Sequence, residues 1–123
     1  MTSKVRRFAD LTGPQVAELL TERSILVQPL GAIEQHGPHL PLSTDSVVAS
    51  AVAEAAVAAV GEELDVWLLP TLEYTKSNEH AWSPGTVWLS RAGADALGAK
   101  PGDAIGIGAL ELRLAAVVLQ EPD

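Results

Sequence analysis

The chain lacks cysteine, and its 123 residues include only 8 basic side chains against 16 acidic ones, a net charge of −8. Without cysteine there are no disulfides and no thiolate chemistry, so a cytoplasmic location is expected. The shortage of positive charge argues against nucleic acid and membrane surfaces as partners, because both attract basic patches. No apolar run is long enough to span a membrane, and no apolar segment follows the basic start to make a signal peptide.

The order of the predicted elements indicates a small α/β fold. Thr12 and Pro14 predict the start of a short helix, as an N-cap residue and a first-turn proline. Apolar runs at residues 24–30 and 66–69 predict two buried strands, and residues 46–60 between them predict a helix. Such a strand–helix–strand unit implies a parallel crossover, so the two strands should run side by side in one sheet.

The predicted helix at residues 46–60 is rich in alanine and valine and is apolar nearly all round. This composition predicts burial on more than one face. Thr44 or Asp45 is the expected N-cap and Gly61 the expected C-cap. A helix of this kind that lacked some of its covering would favour oligomerisation, so a homo-oligomer is expected.

Beyond the second strand the sequence predicts smaller elements. A long polar loop inside a compact domain is usually functional or mobile. Leucines that alternate with charged residues at 110–114 are typical of a half-buried strand. The expected elements are a polar loop at 71–86, a short strand at 87–89, a brief helix at 91–98, a turn at 99–103 and a β-hairpin over 104–107 and 110–119.

Two long loops hold all three histidines, His36, His39 and His80. Glu34, His36 and Asp45 surround the loop that leaves the carboxyl end of the first strand, where open α/β sheets bind ligands. In an extended segment residues 34 and 36 point to the same side, so both side chains can reach one centre. Two oxygen donors and one imidazole suit Zn²⁺ or Mn²⁺.

Each of these residues also has a structural interpretation. Asp45 could serve only as a helix N-cap. Glu34 could pair with a lysine or arginine, while His36 and His39 could bond to backbone in a proline-rich loop. Trp82, in the second loop, could either wall a substrate pocket or anchor the loop by packing.

Residues 29–49 read PLGAIEQHGPHLPLSTDSVVA, and their spacing E-x-H-G-x-H-x-P-x-x-x-D resembles the creatininase (creatinine amidohydrolase) family. A second segment, KSNEHAWSPGTVWLS at residues 76–90, is similar to the family's S-x-E-H…PGT loop. The resemblance covers residues 10–90, the N-terminal part of the family. It implies a truncated form of the family's three-layer α/β fold, with a C-terminal hairpin added.

By this resemblance, the metal ligands would be Glu34, His36 and Asp45. The cofactor would be Zn²⁺ or Mn²⁺, binuclear in complete members of the family, with Asp45 able to bridge the two ions. The reaction would be hydrolysis of a cyclic or formylated amide C–N bond in a small molecule by metal-activated water. The residues expected around the substrate pocket are His39, Glu79, His80 and Trp82.

The family pattern also includes a later N-G-H-G-G-N motif and a distal glutamate, which supply the remaining ligands. This chain has no histidine after His80. We therefore expect it to hold half of the metal site, as a truncated hydrolase that is inactive alone. The alternatives are a metal-binding module without catalysis and a purely structural or interaction domain.

Residues 91–123 differ in composition from the preceding part of the chain. Their motifs L-G-x-K-P-G-D and V-V-x-x-E-P-D resemble a segment of the extracytoplasmic domain of export-type ABC-transporter permeases. The resemblance implies a chimera that joins residues 1–90 to residues 91–123 near Ser90. We expect the second part, a short helix and a hairpin, to pack on the same domain and to cover a sheet edge.

Overall fold

The computed structural model of the chain describes residues 4–75, 77–88, 104–107 and 110–117. The sheet order is β2-β1-β4-β3, with β1 parallel to both β2 and β4, and β3 antiparallel to β4. The α/β fold class is therefore confirmed. The elements are a 3₁₀ turn at Phe8–Asp10, α1 at Gly13–Leu19, β1 at Ile25–Pro29, α2 at Thr44–Val60, β2 at Val66–Leu68, a 3₁₀ turn at Asn78–His80, β3 at Ala104–Ile107 and β4 at Leu110–Val117.

Helix α1 begins where the sequence predicts it. The Thr12 side chain accepts a hydrogen bond from the Gln15 backbone N–H, and the Gln15 side chain accepts one from the Thr12 N–H. This reciprocal pair is a capping box, which satisfies two backbone donors that the first helical turn leaves without partners. Pro14 lies in the first turn, as expected.

The core has two parts because side chains of a strand alternate between the faces of the sheet. On one face, Leu26 and Trp67 are buried with Leu20, and the helix α1 residue Val16 packs against them. On the other face, the buried residues are Ala53 and Val57 of α2 with Val66 and Leu68 of β2. The sheet thus lies between α1 and α2, in three layers.

The prediction that α2 is buried on more than one face is wrong for the described part of this chain. Its buried residues, Ser46, Ala49, Ala53 and Val57, follow helical spacing and form a single face toward the sheet. Several valines on the rest of the helix are exposed: Val47 (61%), Val48 (51%), Val52 (49%) and Val60 (37%).

The N-cap prediction for α2 is also wrong. Ser43 is the N-cap residue, and its side chain makes no capping hydrogen bond. Thr44 instead donates its hydroxyl to the Pro41 carbonyl at 2.6 Å, so the loop before the helix is fixed by that bond. Asp45 lies in the first helical turn, which leaves its carboxylate available for another partner. Gly61 is the C-cap, as predicted, although in a right-handed conformation.

The C-terminal strands extend the sheet on the side of β1 opposite β2. Residues Leu26 to Pro29 of β1 pair with Leu114 to Val117 of β4. β3 pairs antiparallel with β4, which confirms the expected C-terminal β-hairpin. The predicted helix at 91–98 and turn at 99–103 lie outside the described residues.

The second long loop, at 71–86, contacts the loop that follows β1. Leu30 and Leu72 form a parallel bridge that prolongs the pairing of β1 and β2, and Ile33 and Val87 form an antiparallel bridge. In place of the short strand predicted at 87–89, the described residues show the single bridge at Val87. Residue 89 lies outside the described part of the chain. Of the described helices, none has the length and apolar character needed to cross a membrane.

Candidate metal centre

The loop after β1 is held tightly against the start of α2. A Cβ placed on Gly31 would lie 2.5 Å from Ser46 Cα, so the absence of a side chain permits this approach. Ser46 donates its hydroxyl to the Ala32 carbonyl at 3.1 Å, and Thr75 donates to the Gly31 carbonyl at 2.5 Å. These contacts set the distance between the loop that carries Glu34 and the helix that carries Asp45.

Glu34, His36 and Asp45 are brought together by this packing. Each offers one ligand atom, and these three atoms lie within 4.8 Å of one another. They form the one such group of three or more acidic, histidine or cysteine side chains in the part of the chain that the structure describes. All three residues are half-buried, so the group is open on one side. We refer to it as the three-ligand cluster.

The imidazole of His36 has a defined orientation. Its Nδ1 lies 3.1 Å from the Glu34 carbonyl oxygen, which can only accept, so Nδ1 carries a proton. Its Nε2 lies 2.9 Å from Asp45 Oδ1. A backbone carbonyl that holds Nδ1–H is the usual outer partner of a metal-binding histidine, because it directs the Nε2 lone pair to the ion.

The Glu34 carboxylate has a buried donor behind it. Ser77, with 0% exposure, donates its hydroxyl to Glu34 Oε2. The Glu34 backbone N–H donates to the Leu42 carbonyl at 3.1 Å, which closes the proline-rich loop on itself. Glu34 is therefore oriented by its own loop and by the second loop together.

The electrostatics of the cluster follow from this proximity of acids. Burial raises the pKa of Glu34, and the nearby Asp45 carboxylate acts in the same direction, against the lowering effect of the Ser77 hydrogen bond. The hydrogen bond to the Glu34 carbonyl raises the pKa of His36, and Asp45 adds to that increase. Two carboxylates facing one imidazole thus favour an added positive charge.

A divalent cation fits this donor set. His36 Nε2 and Asp45 Oδ1 lie 2.9 Å apart, and Glu34 offers a carboxylate oxygen to the same place, so one cation could contact all three side chains. Zinc and manganese both accept a donor set of one imidazole nitrogen and two carboxylate oxygens. The bond from His36 Nδ1 to backbone supplies the outer support that such a site needs.

The four residues predicted around a pocket lie in different surroundings. His39 is exposed in the proline-rich loop. Trp82 is 76% exposed and donates its indole N–H to the Glu79 carbonyl at 3.1 Å. Glu79 has an exposed side chain, whereas His80 is half-buried and contacts Gln35. The contact of His80 with Gln35 links the second loop to the first.

Sequence reasoning missed two residues of the site, Gln35 and Ser77. Ser77 is fully buried within a polar loop, and Gln35 Nε2 lies 3.2 Å from His80 Nδ1. Neither residue type predicts a site by itself. The signal that could have found them is the pairing of the two loop motifs, because the residues beside the ligands in one loop must meet the other.

Comparisons with known proteins match this geometry to a family. The family model described as creatinine amidohydrolase matches residues 9–99. A mycofactocin precursor peptide peptidase of Mycobacterium tuberculosis is 43% identical over 90 residues, which cover 68% of this chain and 36% of that protein. Its counterpart in Mycolicibacterium smegmatis is 41% identical over 75 residues, 59% of this chain and 30% of that protein.

Solved creatininase structures have the same fold over the matched part. A glutamate-to-glutamine mutant creatininase complexed with creatine aligns with a TM-score of 0.56 and 26% identity, covering 72% of this chain and 35% of that one. A creatininase mutant of the Zn-Zn type aligns with a TM-score of 0.51 and 27% identity, covering 73% and 36%. The chain spans about a third of the length of the curated relatives it matches.

Proposed function

The chain belongs to the creatininase family, and from that premise we propose that it is the metal-binding part of a hydrolase that cleaves an amide C–N bond. Glu34, His36 and Asp45 would hold a divalent ion, Zn²⁺ or Mn²⁺. The observation that carries the proposal is the convergence of their ligand atoms within 4.8 Å around an imidazole whose Nδ1–H is held by backbone.

The substrate class follows from the relatives rather than from a pocket. The curated relatives are named as peptidases of a precursor peptide and are 41–46% identical to the matched part, whereas the similar creatininase structures are 26–30% identical. We therefore propose a peptide amide as the substrate, in place of the cyclic or formylated small-molecule amide expected from the sequence. The chemistry of the bond is the same in both cases.

The residues of this chain have separate tasks in that reaction. A bound divalent ion would polarise the carbonyl and lower the pKa of water toward ~7. Ser77 holds the Glu34 carboxylate, and the Glu34 carbonyl holds His36 Nδ1–H, so both ligands are oriented before the ion arrives. Pre-oriented ligands reduce the reorganisation that binding requires. His39, Glu79, His80 and Trp82 would border the substrate, with His80 best placed.

One observation favours a second candidate function, metal binding without turnover. The three-ligand cluster is the one such group in the described residues, and three ligands are fewer than a binuclear centre requires. In this alternative the chain holds one ion and a further polypeptide completes the catalytic site.

Metal content tests both versions. The parent protein and the double variant His36→Ala, Asp45→Ala are purified without chelators, and zinc and manganese per chain are measured by elemental analysis. We expect near-stoichiometric metal in the parent and little in the double variant. His39→Ala is the matched control, because it removes a histidine from the same loop without touching the cluster. Equal metal in all three proteins would contradict the proposal.

Activity separates the two candidate functions. Zinc-loaded parent protein is incubated with a short peptide, and new termini are detected by mass spectrometry. Cleavage that the His36→Ala, Asp45→Ala variant lacks supports the hydrolase, whereas stoichiometric metal without cleavage supports the metal-binding module.

We also propose that residues 1–90 and 91–123 form one folded unit that self-associates. The pairing of β4 with β1 supports the first part. The exposed valines of α2, which include Val47, Val48 and Val52, support the second, since a contiguous apolar patch favours association. Sedimentation of the parent and of Val48→Glu tests it, with the variant expected to be smaller. The resemblance of residues 91–123 to exporter permeases stays a prediction.

A further inference from the structure

The carboxamide of Gln35 has an unambiguous orientation. Its Oε1 lies 3.1 Å from the Gly37 backbone nitrogen, and a backbone N–H can only donate, so this atom must be the oxygen. Gly37 has a φ of 71°, a left-handed conformation that glycine adopts without strain, and this turns its N–H back toward Gln35. The amide NH₂ group of Gln35 is thereby directed at His80.

The orientation of Gln35 fixes the protonation site of His80. Gln35 Nε2 lies 3.2 Å from His80 Nδ1, and an NH₂ group can only donate, so Nδ1 accepts. A neutral imidazole whose Nδ1 accepts carries its proton on Nε2. Among the residues that the structure describes, His80 Nε2 has no hydrogen-bond partner, so this N–H is left as a donor.

His80 is connected to the three-ligand cluster through hydrogen bonds. The 3₁₀ turn that carries His80 is closed by a hydrogen bond from the His80 N–H to the Ser77 carbonyl, and the Ser77 hydroxyl donates to Glu34. Gln35 itself is the residue between two members of the cluster. The two hydrogen-bonded links therefore join His80 to the cluster from both loops.

We propose that Gln35 is a positioning residue that fixes His80 as the Nε2–H tautomer, and that this N–H donates to the carbonyl oxygen of an amide bound at the three-ligand cluster. The second half of the inference rests on the proposed function. A fixed donor at the position where negative charge develops on a carbonyl oxygen typically contributes about 10²–10³-fold to the rate. Gln35, which lies between the proposed ligands Glu34 and His36, would therefore have a role separate from metal binding.

The tautomer can be read directly by nitrogen NMR of the imidazole rings in the metal-free protein. The chain has three histidines, so the His80 signals are assigned with His80→Gln. We expect Nδ1 without a proton and Nε2 with one. In Gln35→Glu the carboxylate can only accept, so His80 Nδ1 should gain a proton. Gln15→Glu, a glutamine of the α1 capping box, is the matched control and should leave the His80 signals unchanged.

A proton on His80 Nδ1 in the parent protein would overturn the proposal, and this measurement does not depend on any variant folding. An unchanged tautomer in folded Gln35→Glu would overturn the positioning role of Gln35.

The donor role is tested with acetohydroxamate, a small carbonyl compound that binds zinc. In zinc-loaded parent protein, acetohydroxamate should shift the His80 Nε2 signal. Bound acetohydroxamate without a shift at His80 would overturn the donor role. If neither zinc nor manganese binds, the proposed function fails and the donor role with it, while the tautomer is still decided by the metal-free measurement.

Discussion

Asp65 and Glu34 are both partly exposed carboxylates near strand ends, but their partners differ. Asp65, at the amino ends of β1 and β2, accepts hydrogen bonds from Ser24, from Trp67 Nε1 at 3.0 Å and from Arg6 Nη2 at 3.0 Å. Glu34, beyond the carboxyl end of β1, faces the Asp45 carboxylate with one described donor, Ser77. One end of the sheet surrounds a single carboxylate with three donors, and the other end places two carboxylates beside one imidazole.

The two ends also differ in how their surroundings affect the carboxylate. Burial opposes ionisation of Asp65, but the hydrogen bonds from Ser24, Trp67 and Arg6 outweigh it and lower the pKa of Asp65. Arg6 also donates to the Gly61 carbonyl at 2.6 Å and lies 3.9 Å from the centre of the Trp67 ring, which ties the N-terminal arm to the sheet. We interpret the amino end as a stabilising network and the carboxyl end as a cation site.

The largest expected effect comes from Asp65→Ala. The change removes the acceptor of three donors and places alanine at a φ of 52°, a left-handed conformation that alanine disfavours. We expect a loss of about 3 kcal/mol in the free energy of unfolding, measured in urea, because each bond to a charged acceptor contributes about 1 kcal/mol or more. Asp65→Asn, which tolerates that φ and keeps an acceptor, should lose about half as much. Unchanged stability in Asp65→Ala would remove the contrast between the two ends.

Gly31→Ala tests the close backbone packing at the carboxyl end of β1. The new Cβ would lie 2.5 Å from Ser46 Cα, so α2 must move away from the loop that carries Glu34. We expect a loss of about 2 kcal/mol in the free energy of unfolding, together with weaker zinc binding by titration calorimetry. Gly13→Ala is the matched control, because nothing lies within 4 Å of its new methyl, and it should be neutral or slightly stabilising. Equal effects of the two changes would contradict the close packing.

Glu34→Gln should stabilise the metal-free protein. The amide keeps an oxygen for the Ser77 hydroxyl and removes one of two facing negative charges. We expect a gain of about 0.5 kcal/mol, measured by thermal unfolding in chelator, together with loss of bound metal, since functional sites are commonly less stable than their neutralised variants. A variant that is less stable without metal would show that Glu34 serves the fold.

How far the sequence predicted this arrangement differs between the two ends. The three-ligand cluster follows from one loop, because the spacing of Glu34 and His36 in an extended segment and Asp45 at the helix start are local features. The strands and both helices were predicted for the same reason, through apolar patterning. The sequence pattern did not predict the N-cap at Ser43 or the exposed valines of α2. Both features depend on the neighbouring segments that pack against the helix.

The amino-end network was not predicted, because its members are far apart in the chain. Arg6, Ser24 and Asp65 meet only after β1 and β2 pair in register, with Ile25 opposite Val66. Gln35 and Ser77 were missed for the same reason, since each acts on a residue of the other loop. Contacts between distant segments leave no periodic signal in a single sequence.

The smallest expected effects are those of pH, and they should have opposite signs at the two ends. Because the folded pKa of Asp65 is lowered, its ionised form stabilises the fold above the ordinary value of 3.8, and this stability is lost as pH falls through the folded pKa. Because the folded pKa of Glu34 is raised, the metal-free protein gains stability as pH falls from that raised value toward the ordinary 4.5. Unfolding in urea with chelator, followed from neutral to acidic pH, separates the two contributions. Relative to the parent, Asp65→Asn should lose less stability below 3.8, and Glu34→Gln should gain less as pH approaches 4.5 from above. If both variants changed the curve in the same direction, the two ends would not treat their carboxylates differently.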